Sequence, residues 1–94
     1  MQKFTAIKDP DAVHDYIIDW SDVMNLHSPV DSISSSSWVT DQGTVIDSDS
    51  NTSLQTTVWL SGGILNEVAK LVNTIITTGG RTYVRTINVS ILDT

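Results

Sequence analysis

The chain has 94 residues, of which 11 are acidic and five basic, and its formal net charge is −6. That length suits a single domain over residues 1–94 with a modest core and little room for a deep catalytic pocket. The charge is of the wrong sign for neutralising phosphates, the lack of cysteine excludes disulfides and thiolate metal sites, and no stretch approaches the ~20 apolar residues of a bilayer span.

Neither a signal peptide nor a membrane anchor is expected, because Met1 to Asp11 carry Lys3, Lys8, Asp9 and Asp11 and no long apolar run. Phe4–Ile7 predicts a short strand, broken by Asp9-Pro10-Asp11 because proline fixes φ and removes a donor. Tyr16, Ile18 and Trp20 alternate with Ile17, Asp19 and Ser21, which predicts a strand from about Tyr16. The competing reading is a helical turn over Val13–Trp20 with Asp11 as its N-cap. Asn25–Ser32 reads as a loop, Ile33–Thr40 as a strand bearing Trp38, Gly43 as a turn and Thr44–Asp47 as a strand. Asp47-Ser48-Asp49-Ser50-Asn51 is a run of turn formers and predicts a polar loop. Leu54–Ser61 alternates, with Leu54, Thr56, Val58 and Leu60 on one face, and Gly62-Gly63 ends it. Ile64–Asn73 fits both helical and strand spacing. The β-branched run from Val72 to Thr78 favours a strand, after at most one helical turn. Gly79-Gly80 signals a tight hairpin, and Tyr83, Arg85, Ile87, Val89 and Ile91 share one face of a long last strand.

About seven strands with closely spaced turn signals predict an all-β fold, an immunoglobulin-like β-sandwich. Its expected core is Tyr16, Ile18, Trp20, Trp38, Val58, Leu60, Leu71, Ile75, Ile87 and Val89. The cysteine pair of antibody domains is absent, so only the architecture carries over.

The motifs of site chemistry are missing. Asp9, Asp11, Asp15, Asp19 and Asp22 read as solvent-facing carboxylates with no partner of contrasting pKa. The Asp47–Asn51 run imitates the start of a calcium loop, but Thr52 stands where that loop needs glycine and Val58 where it needs a bidentate glutamate. His14 and His27 lack metal-ligand spacing, and the serines form no nucleophile elbow. We therefore expect no catalytic residue, no metal and no cofactor. Trp59 alternates with Val58 and Leu60, so it points outward if they point inward, and an exposed tryptophan is a good interface anchor. Phe4 and Ile7 lie in a run too short for a secure central strand, and we expect this segment to dock on a neighbouring protein by edge pairing, with Lys3 and Lys8 on the rim. The alternative is an ordinary first strand.

Several blocks together carry a resemblance: Lys3 through Val13, Asp15-Tyr16, Asp19-Trp20-Ser21-Asp22, Ile33 to Trp38, Thr57-Val58-Trp59-Leu60-Ser61-Gly62-Gly63, and Gly80-Arg81-Thr82 with Arg85-Thr86-Ile87. The chain resembles the bacteriophage and prophage fibre–tail adaptor proteins from end to end. The resemblance implies an immunoglobulin-like fold, a structural role in the tail or neck of a virion, and no catalysis. The sequence departs from the family pattern at Val23-Met24, where an aromatic-leucine pair is expected, and at Ala69, where an aromatic is expected. The functional expectation is a non-enzymatic adaptor, present as several copies around a ring and contacting phage tail, neck or fibre proteins. It would reside in the virion after assembly in the host cytoplasm, with no nucleic-acid or membrane partner. The alternative is a carbohydrate-binding sandwich that stacks host-surface sugars on Trp59.

Overall fold

The computed structural model describes residues 3–26 and 28–93. Seven strands form: β1 Lys3–Lys8, β2 His14–Asp19, β3 Ile33–Val39, β4 Thr44–Asn51, β5 Gln55–Gly62, β6 Val68–Thr77 and β7 Thr82–Ile91. A single helical turn, α1 Ser21–Met24, follows β2. The strands make a four-stranded sheet in the order β1-β7-β6-β3 and a three-stranded sheet in the order β2-β5-β4. All neighbouring pairs are antiparallel except β1 and β7, which run parallel from Lys3 opposite Thr86 to Lys8 opposite Ile91. The fold is an all-β sandwich, as the strand pattern predicts.

Period-2 alternation assembles the core. Val58 and Leu60 from β5 meet Ala69, Leu71 and Ile75 from β6 and Ile87, Val89 and Ile91 from β7, all nearly free of solvent. Nine of the ten expected core residues are buried, and Tyr16 is partly buried against them. Met24 and Ala69, two positions of departure from the family pattern, are fully buried, and Val23 packs against the same cluster.

A polar knot sits inside this apolar layer. Trp20 Nε1 donates to Thr56 Oγ1 and to Asn73 Oδ1, each at 3.1 Å. The Thr56 hydroxyl donates to Asn73 Oδ1 at 2.6 Å, and Asn73 Nδ2 donates to Ser36 Oγ and to the Ser37 carbonyl at 2.9 Å. The knot joins β5 of one sheet to β3 and β6 of the other. Buried polar groups are tolerated in such a place because each finds a partner.

The structure corrects the reading in three places and resolves an open one. Asp47–Asn51 is the second half of β4 and not a loop. Its turn formers are held extended by pairing with β5 out to Asn51 opposite Thr56, with an irregularity between Ile46 and Ser48. Leu54 belongs to the β4–β5 hairpin and is part-exposed, so it does not share the inward face of Thr56, Val58 and Leu60. Ile64–Asn73, open between helix and strand with strand favoured, is a turn at Ile64–Glu67, closed by Glu67 N donating to the Ile64 carbonyl at 3.1 Å, and then strand, as favoured. Trp20 lies past the end of β2, where it begins α1. The Gly62-Gly63 stop has a clear steric cause. Gly62 has φ +73, and a Cβ there would lie 2.8 Å from the Gly43 carbonyl oxygen; Gly63 has φ +118, and its Cβ would lie 2.7 Å from Ile91 Cδ1.

Candidate interaction surfaces

Trp59 lies on the outer face of the three-stranded sheet. Val58 and Leu60 on either side are fully buried, so alternation turns the indole outward, where it is 44% exposed. Asp15 on β2 and Ser48 on β4 are its direct cross-strand neighbours. Ile17, also exposed, shares this face. Asp47 accepts a hydrogen bond from the Ser61 hydroxyl at 3.0 Å beside it. The face therefore presents an aromatic and an aliphatic group bordered by carboxylates and hydroxyls.

Ile7 lies on the opposite side of the molecule. Ala6 packs on the core and Lys8 is buried, so Ile7 points away from the four-stranded sheet, opposite Ser90. The backbone of Phe4 pairs with Ile87, whereas its side chain, like that of Lys3, lies outside the described residues. His27 lies outside them too. The structure thus separates Ile7 from Trp59, one on the outer face of each sheet. It also places Lys3–Lys8 as a six-residue edge strand of the domain's own sheet. Lys8 is not a rim charge. It is fully buried, and its ammonium donates to the Gly62 carbonyl at 2.7 Å and the Asp9 carbonyl at 2.9 Å. The apolar strand pattern gave no sign of this, because a lysine that follows a short run normally stays in water.

Loop ends are pinned by charged groups. Asp31 accepts from Ser32 N at 2.9 Å, Gly79 N at 3.0 Å, the Thr78 hydroxyl at 3.1 Å and Arg81 Nη1 at 2.9 Å. This ties the α1–β3 connection to the β6–β7 hairpin. The Thr77 hydroxyl, the Arg81 guanidinium and those amides hold its carboxyl far below the usual carboxylate range. Arg85, buried on β7, lies over the Trp20 ring at 4.4 Å and donates to the Asp19 carbonyl at 3.0 Å and to Asp22 Oδ2 at 2.6 Å. That bond from Arg85 lowers the Asp22 pKa.

Among the described residues, no group of three or more His, Cys, Asp or Glu side chains could hold a metal ion, and no helix is long and apolar enough to cross a membrane. Fold and surface together define a small all-β sandwich whose distinctive chemistry lies on its outer faces, edges and ends. A family model described as podophage GP4 fiber-tail adaptor protein gp77 matches residues 8–90, and the chain belongs to this family. Membership implies a structural component of a phage tail that contacts tail and fibre proteins. Among curated proteins none matches the chain.

Proposed function

We propose that this chain is a non-enzymatic adaptor that links tail and fibre proteins of a phage particle, as several copies around a ring, after assembly in the host cytoplasm. The observation that carries this reading is the separation of exposed apolar side chains onto both outer faces, Ile17 and Trp59 on one and Ile7 on the other. A linker must hold two neighbours at once, and a rigid sandwich keeps two such surfaces at fixed separation. The sheet order supports an immunoglobulin-like fold: β7-β6-β3 and β2-β5-β4 correspond to the G-F-C and B-E-D pairings of that architecture, with the first strand added parallel to the last. Ile7 keeps a role as a contact residue on β1, to which Phe4 contributes its backbone, and the outer edge of that strand can accept a partner strand.

The test is incorporation into particles. Trp59→Ala and Ile7→Asp are expected to keep the melting temperature within a few degrees of the parent chain, since both positions are exposed. Each should lower the amount found in purified virions by mass spectrometry. Normal incorporation of both variants would defeat the assignment of these residues. The sugar-binding alternative draws on the polar border of Trp59 and predicts the reverse: Trp59→Ala enters virions normally and loses binding to host-surface glycans.

A further inference from the structure

The β1–β2 connection, the Thr40–Gly43 turn, the Gly63–Glu67 connection and the end of β7 meet at one end of the sandwich. Backbone bonds weld them: Leu92 N donates to the Lys8 carbonyl, Asn66 N to the Ile91 carbonyl, Ile91 N to the Glu67 carbonyl and Ile64 N to the Gln42 carbonyl, all within 2.7–3.0 Å. This frame holds Ile7, Ile64, Leu65, Val68 and Leu92 in the open, each between 39% and 57% exposed. Ile7 and Val68 flank Ser90 in register across three strands. Ile7 and Val68 share one face beside Ser90, while Leu92 follows β7 and Ile64 and Leu65 lie on the connection into β6, so exposed aliphatic groups gather at this end, and such gatherings mark contact sites.

The charge around the patch is predominantly negative. Asp9, Asp11, Asp41, Glu67 and Asp93 belong to this end. Of the two lysines near them, Lys8 is buried beneath the surface and Lys70 is exposed. At the far end Arg81 and Arg85 engage Asp31 and Asp22. Leu26, Val30 and Leu54 are exposed there as well, near carboxylates that these two arginines pair.

We propose that the acid-rimmed end docks onto a partner protein whose matching surface is apolar at its centre and basic at its rim; this rests on the adaptor reading. A second copy of the chain is disfavoured because it would oppose two acidic rims. Nucleic acid and anionic bilayers are repelled by the same carboxylates. Complementary rims raise the association rate, and burial of the aliphatic centre sets the residence time.

The test uses the full chain and phage tails assembled without it, with binding followed by co-sedimentation and by association kinetics at low and high salt. The parent chain should bind, more slowly at high salt. The doubly substituted Leu65→Asp, Leu92→Asp chain should keep its melting temperature and lose about ten-fold or more in affinity. The Glu67→Lys, Asp93→Lys chain changes only exposed charges, so folding is not at stake; it should associate more slowly at low salt. Parent-like binding by both variants overturns the proposal, as does self-association of the parent chain that the leucine substitutions abolish. Failure of the parent chain to bind tails at all would instead sink the adaptor reading on which the proposal rests.

Discussion

At one end of the sandwich Lys8 places an ammonium among backbone carbonyls; at the other Asp31 places a carboxylate among backbone amides. Both groups are buried, and both cross-link segments far apart in sequence. Their energetics differ. Asp31 is met by a guanidinium and by hydrogen-bond donors, so its charged form is better held in the folded protein than in water, and its pKa falls. Lys8 is met by neutral carbonyls. Desolvation outweighs the attraction of Asp9, Asp11 and Asp47, so burial pushes its ammonium below the ordinary lysine value. Two loop ends can therefore be closed by buried charge with opposite consequences: the carboxylate gains from folding, whereas the ammonium is tolerated for the bonds that it makes.

The sharpest way to break the comparison is at the Asp31 end, through its second cation. Arg85→Ala removes the cover over Trp20 and the bond to the Asp19 carbonyl, and we expect a loss of about 2–4 kcal/mol in urea unfolding. Asp22, its carboxylate partner, is half-exposed, so little of that loss comes from the ion pair. A loss below about 1 kcal/mol would mean that neither the arginine stem nor its charged head does much to hold this end.

At the other end Lys8→Met keeps most of the buried volume but leaves the Gly62 and Asp9 carbonyls without that donor. The expected cost is about 1–2 kcal/mol by the same measurement, with the exposed Lys70→Met close to neutral as the control. An increase in stability on Lys8→Met would show that desolvation exceeds the two hydrogen bonds.

The smallest expected effect sharpens the sign difference. Because the folded pKa of Asp31 lies below that of the unfolded chain, its contribution is complete above about pH 5 and is lost progressively as pH falls below that value. Asp19 and Asp22 are shifted in the same direction, Asp19 chiefly by the Ser21 amide and Asp22 by Arg85. The melting temperature should decline by several degrees between about pH 5 and about pH 3, and Asp31→Asn should flatten that decline. For Lys8 the lowered folded pKa acts on the alkaline side, where rising pH relieves the burial of charge. An unchanged acid limb in Asp31→Asn would remove the carboxylate from the comparison.

What the sequence by itself determined was the alternation. Val58, Leu60, Leu71, Ile75, Ile87 and Val89 face inward because side chains on a strand alternate with period two, and that rule requires no knowledge of the partner strand. The same rule turns Trp59 outward, so this part of the candidate surface is legible in the residue pattern alone. Local signals failed wherever pairing with a distant strand overrode them. Asp47–Asn51 has the composition of a turn but is held extended by β5, and Ile64–Asn73, whose spacing fits both helix and strand, is settled as strand from Val68 by the ladder with β7. Only the tertiary structure decided which ends meet. It buried Lys8 under the Gly62 carbonyl, gathered Asp31 with Gly79 and Arg81, set Ile7 and Val68 on either side of Ser90 and tied Leu92 to Lys8. Those contacts join residues up to 84 positions apart in the chain, Lys8 and Leu92 being the widest pair (92 minus 8). Nothing in the neighbourhood of either residue encodes them, because sheet register is set by the sum of pairings across the core and not by any single segment.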